Sequence, residues 1–561
     1  MAPVITGWFE SPRAGHGIYL ADDAGGWSFY EYPQLAASAR RVGAGLREAG
    51  VGRGDVVCVV MPTSYAGLAA LFGTWVAGGT LCTVAEPLLQ PAGEYVASLA
   101  ALLTEAEPAV VVTTSEYGDV VRQGMVAAGR HDAPWLYREE AGDLAPQPAG
   151  EIAVLQFTSG STGSPRAACV SWANLAANLK VITRVLGWRD GDGIASWLPL
   201  YHDLGLLGCL MTIVAMQGDG WLMRPEQFLR DPARWLEALG TGRATHTGAP
   251  AFAYGYVARR VKPEELAGVD LSGVRTALAG AEAVDAAVLE AFVRFAEPLG
   301  FRRQALLPAY GMAEASVAVS GARRDRPIRL VRIDPAELRF GQRVSIAEVA
   351  ELGGEQPLAA GWLLSHGRPE PADGVSVTII GEDGEVLPDE HLGEIAVTGE
   401  SVTGGYFRGR TGGATRFVDG QLRTGDAGFI YEGDIYVVGR MGNSLKIRGR
   451  SVYVEDLDAA VANATGLNRG RLSVVGSQDG GRPRVVLFAE APPGEWAETA
   501  RRTLRSRVGT GCPITIVSGR SGLVQRTSSG KPQRRRMWET LQNGLPEGAQ
   551  IIGDSADAGS A

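Results

Sequence analysis

The chain has 561 residues, 45% hydrophobic and 20% charged, with 53 Lys+Arg against 62 Asp+Glu and a net charge of -9. That composition can bury a sizeable core, which excludes a disordered or collagen-like chain. The acidic balance, with a pI near 5.4, argues against a general binder of nucleic acid or anionic membrane. At roughly 150 residues per domain, the length predicts three or four folding units, fewer if the α/β domains are large.

Met1 to Glu10 has no basic segment followed by an apolar stretch, so no secretory signal is read there. Pro33 to Gly50 carries Leu35, Ala39, Val42 and Leu46 at helical spacing and predicts a helix. Asp55 to Met61 and Pro108 to Thr114 read as buried strands, with a helix over Tyr65 to Gly78 between them. Strand, helix, strand in that order predicts a parallel sheet with crossover helices. The alternation persists to about Ser320. Its most apolar run, Leu204 to Met216, is too short to span a bilayer and reads as a buried helix. Cys58, Cys82, Cys169, Cys209 and Cys512 are scattered, with no pair at metal-binding spacing. Dispersed reduced thiols fit a soluble cytoplasmic protein.

After Ser320 the pattern changes. Leu330 to Glu355 is mixed and polar, and Val375 to Val438 reads as strands separated by the turn signals EDGE and YEGD. From Ser451, helix-like and strand-like segments alternate in a small α+β unit. The tail after Gly544 is rich in Gly, Ala, Ser and Asp and reads as disordered. The expected architecture is α/β. A large N-terminal region, 1–438, would hold doubly wound subdomains and a β unit. A mobile C-terminal domain, 439–545, would follow, and then a disordered tail, 546–561.

The strongest local signal is LQFTSGSTGSPR, Leu155 to Arg166. An apolar strand runs into a loop of Thr, Ser, Gly and Pro, then into the helix expected from Ser171 to Val185. Crowded hydroxyls and backbone N–H groups after a strand make a phosphate cradle. It is not a Walker A loop, because GxxxxGK[ST] is absent. Lysine is rare: Lys180, Lys262, Lys446 and Lys531 are the only ones. Where Lys persists it is a candidate for work that Arg cannot do.

TSGSTGSPR resembles the phosphate loop of the adenylate-forming enzymes, which include acyl-CoA synthetases, fatty acyl-AMP ligases and peptide-synthetase adenylation domains. Further motifs of that superfamily follow in order: SWLPLYHDLGL at Ser196 to Leu206, AGAE at Ala279 to Glu282, and YGMAEAS at Tyr310 to Ser316. RTGD at Arg423 to Asp426, Gly439-Arg440, KIRGR at Lys446 to Arg450, and SSGK at Ser528 to Lys531 complete the set. LPLYHDLGLLG, TGAPAFAYGYVARRV and YGMAEASVAVSG are similar to the fatty acyl-AMP ligase branch. So is the long stretch at about 321–366, an insertion that in that branch restrains the C-terminal domain and disfavours CoA.

The resemblance implies a reaction in two halves. A carboxylate attacks the α-phosphate of ATP to give acyl-AMP, and a pantetheine thiol, of CoA or a carrier protein, then displaces AMP. It implies phosphate contacts from Thr158, Ser159, Gly160, Ser161, Thr162, Gly163 and Arg166. It implies an adenine site at Gly280, Ala281, Glu282, Tyr310, Gly311, Met312 and Ala313, with Ser316 reaching the AMP phosphate. Glu314 would ligate Mg²⁺, Asp426 the ribose hydroxyls, and Arg440 ribose or phosphate at the hinge. Lys531 would bridge carboxylate, α-phosphate and ribose, and His202 would wall or gate the acyl channel. Trp197, Leu198, Ala249, Pro250 and Phe252 would line the acyl pocket, with Lys446 and Gly449 on the pantetheine side.

Three departures bear on mechanism. The usual loop ending PKG is Pro165-Arg166-Ala167, the usual hinge GRxKD is Gly439-Arg440-Met441-Gly442-Asn443, and the usual TE is Ala313-Glu314. The favoured reading is an enzyme joining a lipophilic acid, through acyl-AMP, to a pantetheine thiol. Two alternatives stay open: an enzyme that only makes thioesters from preformed acyl-AMP, and a non-catalytic nucleotide-binding relative.

Overall fold

The computed structural model describes residues 5–87, 92–139, 142–158, 165–282, 284–334, 337–354, 362–411, 413–441, 444–447, 450–479, 482–509, 511–526 and 530–554. Two large sheets carry the N-terminal region. The first runs, in spatial order, Trp135–Leu136, Val110–Thr113, Val56–Val60, Thr80–Thr83, Ile152–Thr158 and Arg166–Ser171. Its neighbours are parallel except for the last pair. The second runs Val317–Gly321, Leu306–Met312, Thr276–Gly280, His246–Pro250, Gly193–Ser196, Asp219–Leu222, Gly17–Ala21 and Trp27–Glu31. It is parallel inside and antiparallel at both edges.

Helices cover the faces of these sheets, as continuous Val- and Leu-rich strands require. The predicted helices form at Tyr32–Glu48, Tyr65–Val76 and Trp172–Leu186. Ser64 and Ser171 cap the latter two by accepting hydrogen bonds from the backbone of Gly67 and Asn174. Gly187, at φ 55°, ends the last in a left-handed turn. The apolar run at Leu204 is helical but not uniformly α. Leu204–Leu210 is wound as a π-helix and continues as the α-helix Met211–Met216. The wide turn widens the covering over the second sheet, and such turns gather at functional sites.

Beyond these sheets lies an antiparallel unit of Val375–Ile380, Gly393–Gly399 and Gln421–Tyr431, the last also pairing with Arg416–Val418 and Asp434–Arg440. The mixed segment after Ser320 is more regular than its sequence suggests. Arg329–Ile333 pairs on either side with Ile346–Glu351 and Trp362–Leu364.

The C-terminal part opens with the hairpin Ser444–Ile447 and Arg450–Tyr453 and continues with the helices Val454–Thr465, Trp496–Val508 and Arg534–Asn543. Its sheet corrects the reading of the tail as disordered from 546. Gln550–Asp554 is a strand paired antiparallel with Ile514–Ser518, Ile551 opposite Val517. A tail with no alternation of its own acquires strand structure from a partner far away in sequence.

Candidate functional site

A cleft of about 1910 Å³ opens where the parallel strands of the second sheet end, with residues of the C-terminal part on its opposite wall. A crevice outside the carboxyl ends of the strands is the expected ligand position in an open α/β sheet. The strands Thr276–Gly280 and Leu306–Met312 deliver Gly280, Ala281, Glu282, Tyr310, Gly311, Met312, Ala313 and Glu314 to its wall. The backbone there is strained: Ala281 has φ 63°, Ser316 φ 59° and Val317 φ 119°. Such values in residues with side chains persist only where the surroundings enforce them, and they concentrate at sites. Gly311 is forced, since a Cβ there would lie 1.7 Å from the carbonyl oxygen of Val317.

Two charged clusters face the cleft. In the first, the Tyr310 hydroxyl donates to Oδ2 of Asp426 at 2.6 Å, and Arg440 Nε lies 2.9 Å from Oδ1. Asp426 and Arg440 are register partners on adjacent strands, so the backbone sets this pair. Burial, and then the Asp426 charge, push the Tyr310 phenol well above its usual range. Asp426 in turn raises the Arg440 guanidinium further. The carboxylate is thus fixed between a phenol and a guanidinium, with lone pairs left to accept from a diol.

In the second cluster the Tyr406 hydroxyl donates to Oε1 of buried Glu314 at 2.6 Å. The Arg166 guanidinium lies 4.2 Å from the centre of the Tyr406 ring. Cys169 N donates to Gly405 O, and Ala168 bridges Tyr406, tying this segment to the strand that carries Arg166. No hydrogen bond to the other oxygen of Glu314 is seen among the described residues. Among the described residues there is no group of three or more acids, His or Cys fit to hold a metal alone. That suits a hard cation taking most of its oxygens from phosphates and water.

Facing these from the C-terminal part, Lys531 lines the cleft with Arg469, Arg526 and Arg534. Its charge reaches Asp203 and Glu282 across the gap. Burial alone would raise the Asp203 carboxyl, but His202, 2.7 Å away, and Lys531 outweigh it and hold it low. Burial raises the Glu282 carboxyl, whose Oε1 accepts from the backbone of Phe252 at 2.8 Å. The rim contact between Arg469 and Asp285 spans 3.9 Å.

Not every expected residue reaches the cleft. Phe252 and His202 line it, whereas Trp197, Leu198, Ala249 and Pro250 are not among the wall residues found. Trp197 is instead stacked on Phe228 at 4.1 Å. Ser316 is fully buried and donates its hydroxyl to Ser401 O at 2.8 Å. Thr158 lines the cleft, while 159–164, Gly442, Asn443 and Gly449 lie outside the described residues. Lys446 is described only as part of its strand. The sequence reading missed Tyr406, for which no local signal exists. It also missed Gly248, where a glycine inside a strand could have flagged a close approach.

Residues 14–407 match the family model of the AMP-binding enzymes. The chain belongs to that family. A long-chain-fatty-acid–AMP ligase of Mycobacterium tuberculosis is 32% identical over 489 residues, 81% of this chain and 79% of the relative. A 4-hydroxyphenylalkanoate adenylyltransferase of Mycobacterium marinum is 30% identical over 92% of this chain and 85% of its own. A solved structure from work on fatty acyl-adenylate ligases of E. coli and L. pneumophila superposes with a TM-score of 0.82 at 26% identity, over 96% of both chains. The protein is therefore an acyl-activating enzyme of the ligase type, with the adenylate-forming fold and its separate C-terminal domain, in a family of AMP-binding enzymes. Its relatives do not favour the purely thioesterifying or the non-catalytic alternative. Among the described residues, no helix is long and apolar enough to cross a membrane.

Proposed function

We propose that the enzyme activates a lipophilic carboxylic acid as its acyl-adenylate and hands the acyl group to a pantetheine thiol, on CoA or on a separate carrier protein. The observation that carries this reading is the meeting of three charged groups in one cleft. These are the Tyr310–Asp426–Arg440 cluster, the Arg166–Tyr406–Glu314 cluster, and Lys531 from the opposite wall.

In this reading Asp426 accepts from the ribose hydroxyls, and Tyr310 packs against the adenine beside Gly280, Ala281 and Glu282. Glu314 holds Mg²⁺, which when bound neutralises charge on the phosphates. Thr158 and the loop after it cradle those phosphates, with Arg166 at the end of the loop. Lys531 bridges the incoming carboxylate and the α-phosphate. The carboxylate oxygen forms a bond to the α-phosphorus as the bond to the bridging oxygen breaks, and pyrophosphate leaves with that electron pair. Lys531 stabilises charge on the oxygens in flight, the electrostatic effect that usually dominates such steps. In the second half-reaction the thiol sulfur attacks the acyl carbon and AMP departs.

Arg166 fits the pyrophosphate end despite the missing lysine: its guanidinium is held flat on Tyr406, a pre-organised cation. The inserted segment 321–366 supports a carrier protein as acceptor. Val331, Ile333, Leu338 and Val344 share one apolar cluster with Val438, Met441 and Tyr453, which bracket the proposed hinge. Such packing resists the swing of the C-terminal domain, 439–545, that would admit a new thiol. The test is to incubate enzyme, ATP and Mg²⁺ with acids of graded length, then chase with CoA or a holo carrier protein and follow products by mass. Acyl-AMP followed by thioester, mainly on the carrier, is expected. No adenylate with any acid would overturn the reading.

A further inference from the structure

One arm of the cleft runs inward between the helix Trp172–Leu186 and the face of the second sheet. Ile182 and Leu186 line it on one side, and Leu278, Gly248 and Leu204 on the other. Gly248 keeps it open: a Cβ there would still be 3.9 Å from both Leu204 and Leu278, so the glycine leaves room rather than avoiding a clash. From Pro250 at the strand end the arm follows the strand back to His246. That is four residues, or about 13 Å at about 3.3 Å per residue, enough for a medium-length acyl chain.

The arm is apolar along its length but not at its end. His246 lines it, is fully buried, and stacks on Trp188 at 5.5 Å. Its Nε2 faces Oδ2 of Asp192 at 3.1 Å, and neither ring nitrogen makes a hydrogen bond among the described residues. Thr276 is its register partner on the next strand, on the face that carries Leu278 and Gly280 into the cleft. The Thr276 hydroxyl is equally buried and equally without a partner among the described residues. A buried polar atom left unpaired costs about 1–3 kcal/mol, and of these two residues His246 is the one on the cleft wall, so its ring calls for a ligand.

The chemistry of that ligand follows from the groups behind the ring. Asp192 is already held by Arg275 at 2.5 Å and by the Thr245 hydroxyl at 2.8 Å. Burial alone would raise its carboxyl, but the bonds from His246, Arg275 and Thr245 keep it far below the usual range. Burial lowers the His246 imidazole, and the nearby charges of Arg275 and Arg324 act the same way against the pull of Asp192. A neutral ring with its proton on Nε2, towards Asp192, leaves Nδ1 as an acceptor. The ring offers a neutral acceptor, with the Arg275 and Arg324 charges nearby, which suits a neutral donor and disfavours an ammonium.

Resting on the acyl-activating reading above, we propose that His246 recognises the far end of the acid, and that the preferred substrate is a medium-length lipophilic acid bearing a hydroxyl at or near its distal end. The test is ATP–pyrophosphate exchange on the full chain with decanoic acid and with its ω-hydroxy derivative, and with the octanoic and dodecanoic pairs. In the native enzyme kcat/KM for the hydroxy acid should exceed that for the plain acid tenfold or more at the best-fitting length. In His246→Phe, which keeps the stacked ring, that ratio should fall at least tenfold. His246→Gln, which keeps a side-chain acceptor, should retain most of the ratio, which guards against a folding failure in the first variant. Robust exchange with a ratio near one, unchanged in both variants, would overturn the assignment of the tunnel end and leave the acyl-activating reading standing. Exchange with none of the acids would overturn both.

Discussion

At the scale of single residues, the contacts of Arg166 and His366 carry separate consequences. The family's phosphate loop ends in lysine, and a bulkier arginine could be expected to crowd the site. Here it is laid flat on Tyr406, whose hydroxyl is fixed on Glu314. Cation, ring and carboxylate form one unit, so removing the middle member should disturb both ends. Tyr406→Phe should lower kcat/KM in ATP–pyrophosphate exchange by roughly tenfold and raise the Mg²⁺ concentration needed for half-maximal rate. An unchanged Mg²⁺ requirement would separate Glu314 from the cation. His366 lines the cleft beside Tyr310, and burial drives its imidazole down to about 4 from 6.5. Between those values the unfolded chain binds a proton that the folded chain refuses. This contribution to stability is therefore complete above 6.5 and is lost as pH falls towards 4, at up to about 1.4 kcal/mol per pH unit. Urea unfolding across that window should show a shallower loss for His366→Phe than for the native chain. Parallel curves would contradict this.

At the scale of elements, what the sequence revealed and what it hid have physical reasons. The helices at Tyr32–Glu48 and Tyr65–Val76 and the strands at Val56–Val60 and Val110–Thr113 were legible because their apolar patterns are local. Ala281, Tyr310, Glu314 and Asp426, proposed as site residues from motifs that resemble a family's, do line the cleft, where the strand ends bring such short motifs together. The strands at Arg329–Ile333, Ile346–Glu351 and Gln550–Asp554 were not, because their pairing partners, rather than their own alternation, make them strands. The acyl pocket was sought in large apolar residues such as Trp197. The arm of the cleft is shaped by a small one, Gly248, because a tunnel is defined by what its walls lack. Gly248→Leu should accordingly shift the acid preference towards shorter chains, with kcat/KM for dodecanoic acid falling at least tenfold relative to hexanoic acid in exchange assays. An equal loss for every length would indicate general damage to the strand rather than a blocked channel.

At the scale of the molecule, function depends on how the C-terminal part meets the rest. Lys531 and Arg469 reach the cleft from one side and Asp203, Glu282 and Asp285 from the other; in the proposed reading this arrangement sets Lys531 against the acyl-adenylate. The second half-reaction requires the thiol to reach the same carbon. In the proposed reading, the apolar cluster that joins Val331, Ile333, Leu338 and Val344 to Met441 and Tyr453 would oppose that movement. Val331→Ala with Leu338→Ala, which thins the cluster at a cost of roughly 1–3 kcal/mol each, should raise thioester formation on CoA relative to carrier protein severalfold. A ratio that does not move would mean the insertion leaves acceptor choice untouched.

The central claim is that this cleft still makes acyl-adenylates despite its altered phosphate loop and hinge. ATP–pyrophosphate exchange with a lipophilic acid, in the native chain and in Lys531→Ala, tests it most directly. The account predicts acid-dependent exchange in the native chain and a loss of a hundredfold or more in the variant. No exchange with any acid, together with rapid thioester formation from synthetic acyl-AMP, would contradict it and would mean that the chain only completes what another enzyme has activated.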